Sequence, residues 1–231
     1  MNKLALVFGG SRGIGAACVT ALKASGFDVA FTFVSSSLGN ADAFKADVQN
    51  PEDVKKVFDD VEGRHKRKVD CVVVNAGIGV PPGPVSQFDT ANFRKLVEVN
   101  VVGAFNVLRE AGQRIADGGS IVAITTSMVR HAVPGFGPYA GTKAAVECMV
   151  RSMAKEIAPR KVRVNAVAPG PVDTDLFRAG KTEEAKQRSA ALSPFNRIGT
   201  PAEVAEVVAF LASDRASWVH GQIVQPNGGM I

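Results

Sequence analysis

An α/β fold on a parallel sheet is what this sequence predicts, from three observations. Short buried runs rich in β-branched residues alternate with longer segments whose apolar residues recur at helical spacing. The first run, LALVF, passes through GGSRGIG directly into a helical stripe. Hydroxyl and amide residues gather just after the runs, where open α/β sheets bind ligands at the carboxyl ends of their strands. With 231 residues, 46% of them apolar, and no linker, a single domain spanning 1–231 is expected.

The first unit is strand 4–8, the glycine loop, and a helix closed by Gly26. Gly9, Gly13 and Gly15 allow positive φ and let backbone N–H groups approach a pyrophosphate, whose charge the helix N-terminus favours; Ser11, Arg12 and Ile14 complete the loop. The spacing is not the common GxGxxG. A second apolar strand covers 29–34 and leads to Ser35 and Ser36, with no acidic residue to hold ribose hydroxyls. Arg12, Ser35 and Ser36 suit a ribose 2′-phosphate instead, so the cofactor expected is NADP(H), with NAD(H) second. Only eleven residues, SSSLGNADAFK, separate Val34 from the ADV segment at 46–48, so the crossover after strand two is expected to be shortened and to lack its helix.

A polar helix over 51–63 precedes DCVVVNAG, a central strand running into Asn75, Ala76 and Gly77. The helix expected over 92–115 carries Phe93, Leu96, Val97, Val101, Ala104, Phe105 and Leu108 with Asn100 among them. An amide inside such a stripe needs a backbone or water partner. GGSIVAITTS reads as a turn and a buried strand ending in Thr126 and Ser127. If helix begins near Pro138, Tyr139 and Lys143 lie one above the other, and ammonium can meet phenol. Lowering a tyrosine pKa by roughly three units takes on the order of 4 kcal/mol, more than an exposed lysine supplies, so a second cation such as an oxidised nicotinamide ring is implied.

VRVNAVAPGPVDTD is a further strand followed by Pro169, Gly170, Val172 and Thr174. Residues 175–196, polar and alanine-rich with Gly180 and Pro194 as breakers, have the composition of a substrate lid. A last helix and strand follow, ending in PNGG with Asn227.

The hydroxyl before YxxxK, together with Asn100 on an earlier helix, resembles the classical short-chain dehydrogenase/reductase family, especially its 3-oxoacyl-acyl-carrier-protein reductase-like members. GGSRGIG is similar to the family's TGxxxGxG loop without its threonine, VNAG to its NNAG, and the stretch from Pro169 to Thr174 to its PGxVxT. The resemblance covers almost the whole chain. It implies a three-layer, doubly wound Rossmann fold of seven strands and hydride transfer between NADP(H) and a carbonyl or secondary alcohol. Tyr139 is then the proton donor, Lys143 lowers its pKa and binds the nicotinamide ribose, Asn100 anchors a proton-relaying water, and Ser127 holds the substrate oxygen. Counting thirteen residues back from Tyr139 lands on Thr126; aligning the strand end through the following loop lands on Ser127, the residue favoured here. Asp47 and Val48 are placed against the adenine, Asn75, Ala76 and Gly77 near the adenine ribose and nicotinamide, and Pro169, Gly170, Val172 and Thr174 beside the carboxamide. A homodimer or homotetramer packed through the helix after Lys143 is also implied.

The remaining features are bland. Cys18, Cys71 and Cys148 lie in apolar segments without metal or redox spacing and are expected to be buried thiols. The three histidines are scattered, so no metal site is expected. The net charge of +5 peaks in the run Arg64 to Lys68, which lacks interleaved aromatics and reads as a solvated turn, not a nucleic-acid face. No apolar stretch reaches the ~18 residues of a membrane span and no signal peptide is visible, so a cytoplasmic protein is expected.

Overall fold

A computed structural model describes residues 2–35 and 42–231. Seven parallel strands form one sheet: β1 Leu4–Phe8, β2 Asp28–Phe33, β3 Ala43–Lys45, β4 Cys71–Val74, β5 Ser120–Ile124, β6 Arg163–Val167 and β7 Ile223–Val224. Their spatial order is β3-β2-β1-β4-β5-β6-β7. The chain winds outward from β1 to β3, returns to β4, and winds outward again. The switch between β1 and β4 leaves a crevice at the carboxyl edge, the place where such sheets take ligands.

Side-chain alternation divides the interior into two cores. Leu4, Leu6 and Phe8 of β1 face one side, with α2 (Pro51–His65), α4 (Gly103–Arg114) and α6 (Gly137–Ile157). Ala5 and Val7 face the other, with α1 (Gly13–Ala24) and α9 (Pro201–Ala212), while the short helices α5 (Met128–His131) and α8 (Glu183–Ala190) add no residue to either core. Strands covered on both faces have no polar side to display, which is why they read as unbroken apolar runs.

Helix starts follow capping chemistry. Asn50 accepts from Glu52 N ahead of Pro51, and Thr200 and Glu203 form a capping box around Pro201. The long helix before β5 is divided. Thr90–Val97 (α3) passes into α4 through a π turn, Glu98–Val102, that contains Asn100. Across from this turn Gly103 packs so tightly that a Cβ there would come 2.6 Å from Val48 Cγ2.

Some expectations shift. β2 ends at Phe33, and Val34 is exposed. The strand beyond the crossover starts at Ala43, pairing with Phe31, before the ADV segment. Residues 34, 35 and 42 carry no helix, and 36–41, Ser36 included, lie outside the described residues. Cys18 and Cys71 are buried, but Cys148 is exposed. The buried positions of α6 include Lys143, Val146, Glu147, Val150 and Ala154, and residue 148 falls on the opposite side of that stripe. Phe93 and Phe105 are also exposed, on the outer side of the α3 and α4 segments. Among the described residues no helix is long and apolar enough to cross a membrane.

Candidate active site

The site grows from the carboxyl ends of β1, β4, β5 and β6. After β1 the chain turns through Gly9 at φ +77° and Gly13 at φ +54°. Gly9 N donates to Thr32 Oγ1 at 2.9 Å and Gly10 N to Thr32 O at 3.0 Å, tying the loop to β2. From β4, Asn75 Nδ2 donates to Gly9 O at 2.8 Å. A Cβ at Gly15 would lie 2.0 Å from Gly9 O, so only glycine lets the helix start this close to the loop. Helix α1 has no side chain capping its N-terminus, unlike α2 and α9. Glycine-lined and uncapped, its first-turn amides fit the pyrophosphate of a dinucleotide.

Helix α6 carries Tyr139 and Lys143. Lys143 is buried and its Nζ donates to Ile124 O at 3.0 Å, at the end of β5. Tyr139 stands one turn earlier, and its phenol oxygen makes no hydrogen bond among the described residues. Burial pushes the Tyr139 phenol up to about 12 and the Lys143 ammonium down to about 8. One turn beyond, Glu147 accepts from Thr125 Oγ1 at 3.1 Å, and burial raises its carboxyl.

Asn100 joins this cluster from the π turn. Its Oδ1 accepts from Ile78 N at 2.8 Å, and its Nδ2 donates to Ile78 O at 3.0 Å and Thr142 Oγ1 at 3.3 Å. Thr142 in turn donates to Tyr139 O at 2.7 Å. The amide thus grips the loop after β4 and touches α6 between Tyr139 and Lys143. All three elements converge on Gly77: a Cβ there would lie 3.2 Å from Asn100 Oδ1 and 3.3 Å from Lys143 Nζ.

The hydroxyls after β5 differ in their surroundings. Ser127 N donates to Pro169 O at 2.9 Å and its Oγ to Ala168 O at 2.7 Å, while Asn227 Nδ2 donates to that Oγ at 3.3 Å. Thr126 Oγ1 accepts from Met128 N at 3.3 Å. After β6, Gly170 packs on Asn227, and Thr174 caps α7 (Asp175–Arg178) while lying against Gly13.

A parallel sheet with this crevice, a glycine loop and a Tyr–Lys pair on the following helix finds its counterpart among known proteins. Residues 9–231 match the family model described as enoyl-(acyl carrier protein) reductase. An NADPH-dependent aldehyde reductase-like protein, chloroplastic, of Arabidopsis thaliana is 36% identical over 100% of this chain and 94% of its own. A short-chain type dehydrogenase/reductase of Picea abies is 37% identical over 100% and 93%. The chain belongs to the short-chain dehydrogenase/reductase family. The crystal structure of gox2181 superposes with a TM-score of 0.92 at 33% identity, covering 99% of this chain and 95% of that one.

Within this short-chain dehydrogenase/reductase, the residues expected to act together are distributed unevenly. Lys143, Asn100 and the segment Asn75, Ala76, Gly77 meet around Gly77, and Tyr139 stands one turn before Lys143 on α6. Gly9 and Ser11 lie in the loop before α1, and Gly13, Ile14 and Gly15 form its first turn, with Thr174 against Gly13. Val48 is buried, but Asp47 folds its carboxylate back onto Gln49 N at 3.0 Å. Arg12 and Ser35 are exposed at the rim. Sequence reasoning overlooked Thr32, Ile78, Thr142, Glu147 and Ala168. Only Thr142, three residues from Tyr139 on one helix, left a local signal.

Proposed function

We propose that this enzyme reduces a carbonyl compound, or oxidises the corresponding alcohol, with NADP(H). The observation that carries the proposal is the meeting of Lys143 and Asn100 at Gly77 on the carboxyl edge of the sheet, with Tyr139 one turn before Lys143 on α6. When bound, the nicotinamide supplies or accepts the hydride. The first-turn amides of α1 and the glycine loop hold the pyrophosphate, Arg12 and Ser35 the 2′-phosphate, and Asn75 to Gly77 with Pro169, Gly170, Val172 and Thr174 flank the nicotinamide side. Tyr139 gives its proton to the carbonyl oxygen as hydride arrives; its raised pKa keeps the phenol protonated at neutral pH. Lys143 holds the ribose and lowers the phenol pKa once charged. A hydroxyl at the end of β5 holds the oxygen, and Asn100 orders the proton path behind Lys143.

The name of the Arabidopsis relative, an NADPH-dependent aldehyde reductase-like protein, favours NADPH and a carbonyl substrate. So does the absence of an acidic residue at Val34 and Ser35, since an aspartate there would repel a 2′-phosphate. The reading also includes a homo-oligomer. The groove between α3 and α6, lined by Phe93, Val97, Val101, Gly141 and Ala145, presents an apolar face.

The test follows NADPH and NADH absorbance with a panel of aldehydes, ketones, β-ketoesters and acyl thioesters. One charge-assisted hydrogen bond contributes about 1.5 to 3 kcal/mol, so a roughly tenfold to hundredfold preference in kcat/KM for NADPH is expected. Arg12→Ala and added salt should shrink it, and Ser35→Asp should nearly abolish or reverse it. A wild type that uses NADH better contradicts the cofactor assignment. Cofactor binding without turnover of any carbonyl points to a dinucleotide sensor on the same fold.

A further inference from the structure

We infer that Glu147 is a positioning residue of the active site: with Thr125 it closes a second clamp between β5 and α6, and this clamp holds Tyr139 and Lys143 at the angle the reaction needs. The assignment rests on the carbonyl-reduction reading above and adds a residue that acts through the Tyr–Lys pair.

Glu147 lies on the buried stripe of α6, 6% exposed in a row with Val146, Val150 and Ala154, where an apolar side chain would pack with no charge to desolvate. A carboxylate is costly there. Burial raises its carboxyl, and the half-exposed Arg151, with Nη1 3.7 Å from Oε2, and Arg130 of α5 offset only part of that cost. What the buried carboxylate gains is a strand. Its Oε1 accepts from Thr125 Oγ1 at 3.1 Å, and Thr125 is itself buried, its N donating to Val167 O at 2.8 Å so that the β5–β6 ladder continues past Ile124. The anchor point is therefore rigid.

The clamp matters because of where it falls. Lys143 and Glu147 lie one above the other on α6, and their partners Ile124 and Thr125 are consecutive in the chain at the end of β5. One attachment leaves the helix free to swing about Lys143; two fix its angle against the sheet. Tyr139 and Glu147 stand four residues to either side of Lys143, about 6 Å along the axis, so a swing that moves residue 147 off the strand carries the phenol as far the other way. Asn100 resists such a swing little, because its hydrogen bond to α6 goes to Thr142, at 3.3 Å and next to the pivot. A misplacement of about 1 Å at a reacting group costs up to about 10²-fold in rate.

The experiment compares Glu147→Ala, Glu147→Gln and Thr125→Val in the intact protein, by steady-state kinetics on whichever carbonyl the panel identifies, NADPH fluorescence titration and the pH dependence of kcat/KM. Glu147→Ala and Thr125→Val are each expected to lower kcat by about 10- to 100-fold and to weaken NADPH about fivefold, since Lys143 also holds the ribose. The two losses should not multiply in the double variant, because they break one bond. Glu147→Gln, whose amide oxygen still accepts from Thr125, should stay within about threefold of wild type. The alkaline fall of kcat/KM, where Lys143 loses its proton, should move to higher pH in Glu147→Ala, because a loosened helix admits water to the ammonium, and stay in place in Glu147→Gln. If Glu147→Ala fails to fold, Thr125→Val, close to threonine in shape, carries the same comparison. A Glu147→Gln variant that falls as deeply as Glu147→Ala assigns the effect to charge and overturns the clamp. So do losses that multiply in the double variant, or a lowered thermal midpoint with kinetics and pH profile unchanged. A wild type that turns over no carbonyl refutes the underlying reductase reading instead, while the NADPH affinities of the same variants still decide the clamp.

Discussion

Burial presses Tyr139 and Lys143 toward their neutral forms, and the lysine carries the larger conflict. Its ammonium sits at the end of β5 with Ile124 O as its one direct hydrogen-bond partner among the described residues. A base whose pKa falls from 10.5 in the unfolded chain to about 8 in the folded one opposes folding at pH 7 by about 3 kcal/mol. Between those pH values the unfolded chain binds more protons, so stability contributed at this position rises with pH and the penalty is gone above the upper value. Lys143→Met is therefore expected to raise the thermal midpoint of the cofactor-free protein at pH 7, with the gain shrinking from about pH 8 and lost above about pH 10.5. A midpoint difference independent of pH would contradict this account. The Tyr–Lys pair itself is legible in the sequence, because i, i+4 spacing fixes proximity on a helix. The grip of Asn100 on Ile78 is not, because the partner is backbone on a loop 22 residues away.

Elements show the same division between local and distant causes. Each strand is an apolar run and each helix has its stripe, so their existence is readable in order. The π turn at Glu98–Val102 is not, since one extra residue per turn hardly disturbs a 3.6-residue pattern. Nor is the role of Arg163, a charged residue in the buried strand β6. It donates to Ala212 O at 3.3 Å, Ser213 O at 3.1 Å and Ala216 O at 3.3 Å, as well as to Leu211 O. Ser213 O also accepts from Ala216 N and Ala216 O from Val219 N, so the guanidinium matters most to Leu211 O and Ala212 O at the end of α9. Arg163→Met removes a buried charged donor shared by four carbonyls and leaves Leu211 O without its side-chain partner, so a loss of about 3 kcal/mol is expected in urea unfolding. A loss under about 1 kcal/mol would mean that water or rearranged backbone replaces the guanidinium.

At the scale of the molecule, the doubly wound order brings residues far apart in sequence to one edge. The glycine loop, Asn75 to Gly77, Thr126 and Thr174 each follow a different strand. Their common location was readable because every strand is parallel and every ligand-bearing stretch trails a strand's carboxyl end. The adenosine side was less readable. Arg12 and Ser35 stand exposed, one in the glycine loop and one after β2, and nothing in their local sequence fixes how closely they approach. Burial on α6 was misjudged at Cys148 for a related reason: a helix carries apolar residues outside its buried stripe, and composition alone does not assign the face. The central claim is that the fold presents Tyr139 as a proton donor beside a cofactor held largely by other residues. The direct measurement is Tyr139→Phe, with kcat taken at saturating NADPH and cofactor affinity taken from NADPH fluorescence. A loss of about 10²- to 10⁴-fold in kcat, with the NADPH dissociation constant unchanged within about twofold, is the predicted result. Turnover within about tenfold of wild type, or cofactor affinity lost in step with kcat, would contradict it.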